Sequence, residues 1–162
     1  MTSITTLKDQ LNTSTTHLAL LSIATAGIFP VMWLYRHVRD IEDVTQAKIS
    51  SDTFLIWLAA CTGIGLALRT VGSDNDTLEA ITGVGSLLQL AAGVLWCVWG
   101  FRARKALQDY ALHQHRIELR MNAFYTLIFH VFYVNYCVND LPEAARKKAI
   151  LSSPTDIART EN

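Results

Sequence analysis

The sequence predicts an all-α integral membrane helical bundle, built as a central transmembrane hairpin with two outer membrane-embedded segments. Three observations carry that prediction. The runs Phe54 to Leu68 and Ala80 to Phe101 contain no charged residue, and the second meets the roughly 20 apolar residues needed to cross a hydrocarbon core of about 30 Å. Between them lies the short polar break Gly72-Ser73-Asp74-Asn75-Asp76-Thr77. Two further apolar blocks, Leu18 to Tyr35 and Ala123 to Val138, stand on either side of this hairpin, and the charged residues fall almost entirely outside the four blocks.

The first hairpin run reaches spanning length when Thr53 and the stretch Arg69 to Val71 are included, with Arg69 extending its stem so that the charge reaches the interface. Amides and carbonyls find no water partners in lipid, so both runs are expected to be helical despite their Gly and Thr content. Asp74, Asn75 and Asp76 are turn formers, and Asp76 with Glu79 has capping-box spacing, which sets a helix N-terminus near Thr77. The break carries no Lys or Arg, whereas Arg102 to Arg120 carries five. The positive-inside tendency therefore puts the break outside and the basic stretch in the cytoplasm.

Composition narrows the function classes. A hydrophobic content of 51% with a formal net charge of zero argues against a basic nucleic-acid binder. Residues 1–151 read as a single helical membrane domain and 152–162 as a polar, disordered tail. Cys61, Cys97 and Cys137 lie in apolar runs without metal-ligand spacing, as small buried hydrophobes do. His113 and His115, two apart, point to different helix faces, so no metal site is expected. No nucleophile, base and orienting group are placed together, so neither catalytic residue nor cofactor is expected.

The first outer block ends in Trp33, Tyr35 and Arg36, in the order of a membrane interface, and holds a helix break at Gly27 and Pro30. It is either a kinked spanning helix or two half-helices entering and leaving one face. The run Leu21-Ser22-Ile23-Ala24-Thr25-Ala26-Gly27-Ile28-Phe29-Pro30-Val31-Met32-Trp33-Leu34-Tyr35 resembles the opening signature of small uncharacterised bacterial integral membrane proteins grouped as domains of unknown function. That resemblance implies a multi-pass protein of the bacterial inner membrane and supplies no catalytic residue. Arg36 to Asp52 follows as a polar connection whose Val38, Ile41, Val44 and Ile49 let it lie along the membrane surface, with Ser51 or Asp52 as the next N-cap.

Within the hairpin, Ala59, Gly63 and Ala67 recur every four residues, and Gly85, Gln89 and Gly93 do the same in the second run. Small residues at that spacing let helices approach closely in lipid, so these two faces are expected to pack on each other. Gln89 needs a partner there, for which Thr62 or a backbone carbonyl of the facing helix would serve. Trp96 and Trp99 precede Arg102 as an interfacial anchor, and the helix is expected to continue beyond it through a stripe of Ala103, Leu107, Tyr110, Gln114, Ile117 and Met121, in which the Gln is a polar interruption. The last apolar block, capped by Asn122, is short and aromatic, with His130 and Asn135 inside. Pro142 and Glu143 open a further short helix bearing Arg146, Lys147 and Lys148.

The expected role is that of a non-enzymatic membrane protein acting as a partner-binding accessory, regulatory or toxin-protective subunit. Its partners are then the lipid bilayer and another membrane protein or a second copy of itself. The alternative is a small transport or channel component, in which Gln89, His130 and Asn135 line an oligomeric path.

Overall fold

A computed structural model of the chain describes residues 11, 13–70, 76–117 and 119–151. The turn expected within Gly72 to Thr77 and the tail expected at 152–162 fall largely or wholly outside the described residues. Five helices make up the described chain, with no strand among them: α1 Thr15–Ala24, α2 Ile28–Thr45, α3 Asp52–Thr70, α4 Asp76–His115 and α5 Ala123–Leu151.

The α3 and α4 helices form an antiparallel hairpin. At 40 residues, α4 runs on far past its partner, as a stretch of strong helix formers without Gly or Pro after Gly100 should. Its continuation enters the main core, where Trp99, Ala103, Leu107 and Tyr110 meet Trp33, Leu34, Val38 and Ile41 of α2 and Val131, Val134 and Leu141 of α5. The molecule is thus a hairpin arm rooted in a helical head. Trp99, expected as an interfacial anchor, is fully buried in that head and stacks edge-on to Trp96 at 6.1 Å. The connection from Arg36 to Asp52 also differs from expectation: α2 extends to Thr45, and Val38, Ile41, Val44 and Ile49 are core residues instead of a surface stripe.

The first outer block is broken into two helices. Gly27 N–H reaches Ser22 O at 2.8 Å and Ala26 N–H reaches Ile23 O at 3.2 Å, the paired bonds that close a helix on a left-handed residue. Here two residues are left-handed, Ala26 at φ 50° and Gly27 at φ 88°. Thr25 joins the two pieces, its hydroxyl donating to Leu21 O at 2.8 Å and accepting from Phe29 N–H at 2.9 Å. Pro30 lies beyond the break, in the first turn of α2, where a missing N–H costs nothing. The start of α1 is held by α5, and α2 leads by a short loop into α3, so the block leaves the head and returns to it. In that loop Glu42 Oε1 accepts from both Ile49 and Ser50 N–H at 2.7 Å, and Ser51 Oγ caps α3 by accepting from Phe54 N–H at 3.2 Å.

The second outer block folds back as well. His130, at φ 36° and ψ −110°, interrupts α5, and Asn122 N–H donates to Tyr133 Oη at 3.0 Å. Eleven residues of straight helix would span roughly 16 Å, more than a tyrosine reaches, so the chain reverses sharply at His130. Tyr125 packs against Phe129 and Tyr133 inside the bend, with ring centroids 6.2 and 5.8 Å apart. Asn122 caps the first piece, its Oδ1 accepting from Phe124 N–H at 2.9 Å. The second piece continues through Pro142 to Leu151, so the separate helix expected to open at Pro142 is the end of α5. Lys148 Nζ donates to Arg116 O, where α4 has ended on a left-handed residue.

A left-handed conformation costs an L-residue roughly 1–2 kcal/mol, and glycine's extra freedom in the unfolded chain offsets about 0.4–1 kcal/mol of any relief. Ala26→Gly is therefore expected to stabilise the protein by up to about 1 kcal/mol. The check is thermal melting in detergent: a rise of a few degrees fits this turn, and a fall shows that residue 26 is not left-handed.

Candidate functional site

The hairpin contact is set by two glycines. A Cβ on Gly65 would lie 3.1 Å from Gly85 O and Gln89 N, and a Cβ on Gly85 would lie 3.0 Å from Gly65 O and 2.9 Å from Leu68 Cβ. At Gly85 a Cβ would force a shift of the facing helix, whereas at Gly65 the facing helix would have to give by a few tenths of an ångström, so the approach is set most tightly at Gly85. One turn away, Gln89 Nε2 donates to Thr62 O at 3.0 Å, which satisfies the amide within the facing helix. Leu58 and Ala92 continue the buried seam toward the head.

Of the residues expected on the packing faces, Gly85 and Gln89 stand at this seam. Ala59, Gly63 and Ala67 are exposed, and a Cβ on Gly63 or Gly93 would meet nothing within 4 Å. The reason is register: two residues along a helix is a rotation of roughly 200°, so the stripe that holds Gly65 turns Gly63 away. The pattern Cys61-x-x-x-Gly65 opposite Gly85-x-x-x-Gln89 was present in the sequence, and only the pairing register identifies it as the seam.

The three polar residues expected inside the membrane are not gathered on one path. Gln89 faces α3. His130 lies against α4 near Gly100, roughly 16 Å further along that helix than Gln89, with a Cβ on Gly100 falling 3.7 Å from His130 Cα. Its Nδ1 is 3.1 Å from Thr126 O. Asn135 is fully buried and holds the start of α1, donating to Thr13 O at 3.0 Å and Thr15 Oγ1 at 3.1 Å, while Asn139 donates to Thr13 O at 3.2 Å. The N-terminal attachment was not expected from the sequence, since contacts more than a hundred residues apart leave no local signal. Among the described residues no group of His, Cys, Asp and Glu could hold a metal ion.

Two apolar grooves flank the root of α3. One, of about 690 Å³, runs between α3 and α4 past Phe54, Trp57, Ala91, Val94 and Leu95. The Arg102 guanidinium stands over the Phe54 ring at 5.9 Å. The other, of about 370 Å³, lies between α2 and α3 and carries Tyr35 and Arg36 in its wall. The basic end of α5 bears an exposed Lys147–Glu143 pair at 3.0 Å, and the carboxylate pushes the Lys147 ammonium up from its ordinary value.

Exposure separates the hairpin from the core helices of a water-soluble fold. Trp57, Leu87 and Leu90 are 62%, 69% and 68% exposed, and only 22% of the apolar window of α3 and 11% of that of α4 are buried. Large apolar side chains are also exposed around the two bends, at Leu20, Ile23, Ile28 and Met32 and at Phe124, Leu127, Ile128 and Phe129.

Fold and surface define an all-α protein with two helices long and apolar enough to cross a membrane. The chain belongs to the family of the domain of unknown function DUF4234, whose model matches residues 13–109, from the start of α1 to the part of α4 that lies in the head. No curated protein and no solved structure matches it.

Gly85→Leu is expected to separate the hairpin helices and destabilise the protein by more than about 2 kcal/mol, as overpacking a close contact does. Gly63→Leu should stay within about 0.5 kcal/mol of the parent, since its site is open. Equal melting temperatures for the two variants in detergent would contradict this seam.

Proposed function

We propose that this chain is a non-enzymatic protein of the bacterial inner membrane that binds another membrane protein as an accessory, regulatory or toxin-protective subunit. The observation that carries the reading is the exposure of large apolar side chains on the two spanning-length helices and at both bends. Apolar patches of this kind mark lipid or protein contact. In this arrangement α3 and α4 cross the bilayer, while the bend at Ala26–Gly27 and the bend at His130 dip in from the head side and return.

Charge supports the orientation. Arg36, Arg39, Lys48, Arg102, Arg104, Lys105, Arg146, Lys147 and Lys148 all belong to the head or its junction with the hairpin, and Arg69 alone stands toward the other end among the described residues. By the positive-inside tendency the head is cytoplasmic and the tip at 71–75 is periplasmic. A re-entrant backbone needs protein around it to satisfy its freed polar groups, and here the capping bonds of Thr25, Asn122 and Tyr133 serve that need. Gln89 and Asn135 are committed to internal bonds, which leaves apolar surface as what the molecule offers a neighbour.

The orientation is tested by labelling. In a background without Cys61, Cys97 and Cys137, Ser73→Cys should react with a membrane-impermeant maleimide before the inner membrane is permeabilised, and a reporter fused after Asn162 should be active only in the cytoplasm. A periplasmic C-terminus would overturn the returning bends. For the partner role, cross-linking in native membranes should give one stoichiometric partner, and Trp57→Ser or Leu90→Ser should weaken its capture. Ion conductance by the purified protein in liposomes would favour the transport reading instead.

A further inference from the structure

The groove between α2 and α3 differs from the wider one on the other side of α3 in what its cation is doing. In the wider groove, Arg102 is spent on the Phe54 ring. In the α2–α3 groove, Arg36 is exposed and has no carboxylate within salt-bridge distance and no hydrogen-bond acceptor among the described residues. Three neighbouring carboxylates have partners elsewhere: Asp40 lies 3.1 Å from His37 Nδ1, Glu42 accepts from the Ile49 and Ser50 amides, and Asp52 faces Arg39 at 3.7 Å, while Asp43 is exposed and in no ion pair with Arg36. The rest of the wall is apolar, with Val31, Met32 and Tyr35 on α2 and Leu55, Leu58 and Ala59 on α3.

Depth along the helices orders these groups. Ala59 and Leu58 lie further from the head end of α3 than Leu55, and Val31 and Met32 lie further from the C-terminal, head end of α2 than Arg36. The two helices pass in opposite senses through the loop 46–51, so the apolar floor extends away from the head and the guanidinium stands on the side toward it. At about 370 Å³ the groove falls within the roughly 300–1,000 Å³ of sites that take small ligands. A guanidinium fits phosphate oxygens in paired bonds, and its planar fork is less strongly hydrated than an ammonium, so it can hold an anion at the edge of an apolar slot.

We propose that the α2–α3 groove is a binding site for an anionic phospholipid, with an acyl chain lying along Val31, Met32, Leu55, Leu58 and Ala59 and the phosphate held by Arg36 beside Tyr35. The proposal rests on the membrane reading given above. It adds a specific site that uses lipid charge to fix how α2 sits against α3, where the two helices share few direct contacts and leave the groove between them.

The test uses the full-length protein in a neutral detergent, with dioleoylphosphatidylglycerol, dioleoylphosphatidylcholine or oleate added at matched concentrations and binding read by native mass spectrometry alongside thermal melting. Phosphatidylglycerol should bind and raise the melting temperature more than phosphatidylcholine. Arg36→Gln should weaken phosphatidylglycerol binding roughly fivefold, the amount associated with one cation near a lipid surface, and weaken phosphatidylcholine, whose phosphate charge is offset by its choline cation, less, so that the preference for phosphatidylglycerol is lost. Ala59→Phe, at an exposed position of the groove floor, should weaken both phospholipids. If that variant does not fold, Met32→Phe supplies the same obstruction from α2. Selectivity for phosphatidylglycerol that persists in Arg36→Gln, an absence of selectivity in the parent, or oleate binding as strongly as phosphatidylglycerol would each overturn the assignment. A parent protein that fractionates with the membrane but fails these arms loses the lipid site alone, whereas one that fractionates as soluble loses the membrane reading as well.

Discussion

The close approach of Gly65 and Gly85 is the constraint on which the rest of the structure depends. It fixes the register of α3 against α4, and that register decides which residues of each helix are buried and which face outward. Without a hydrophobic driving force between helices in lipid, dispersion at a close contact and a bond such as Gln89 to Thr62 are what hold such a pair together. Once the hairpin is set, the extension of α4 carries Trp99, Leu107 and Tyr110 to the place where α2 and α5 can cover them. The head is therefore assembled on one rigid helix that also forms half of the arm.

The outer blocks show how an apolar run can be broken and folded back on itself. Each is interrupted in its middle by residues with positive φ, Ala26 and Gly27 in one and His130 in the other. Such conformations cost of order 1–3 kcal/mol at a non-glycine position and persist only where surrounding contacts over-determine them. Thr25, bonded to both α1 and α2, provides that at the first bend, and the Asn122–Tyr133 bond with its aromatic cluster provides it at the second. Both bends leave large apolar side chains exposed, Ile23 and Ile28 at the first and Ile128 and Phe129 at the second.

Much of this was legible in the sequence, and the parts that were not share a cause. The hairpin, the continuation of α4, the caps at Ser51 and Asn122 and the need of Gln89 for a partner in the facing helix all follow from local composition and spacing. Pro30, with Gly27 three residues before it, marked the first break because a proline removes a donor and clashes with the preceding turn, though the chain breaks at Ala26–Gly27 and Pro30 falls within the next helix. The break at His130 carries no Gly or Pro and is produced by the contacts of Tyr133 and Tyr125 across the bend, which no window of sequence contains. The same holds for Trp99, whose neighbours lie far away in the chain, and for the choice of Gly65 over Gly63, which needs the register of a partner helix. Asn135 is a polar residue in an apolar block, but its attachment to Thr13 and Thr15 joins positions 122 and 120 residues apart.

The most direct measurement of the central constraint is a disulfide scan of the hairpin in membranes, in a protein lacking its three native cysteines. A Cβ on Gly65 lies 3.1 Å from Leu88 Cβ, slightly under the roughly 3.5–4.5 Å of a disulfide, so the pair Gly65→Cys with Leu88→Cys should close rapidly on mild oxidation after a small relaxation. The pair Gly63→Cys with Leu88→Cys, whose first position faces away from α4, should remain reduced. Efficient closure of the second pair with failure of the first would contradict this register and the arrangement built on it.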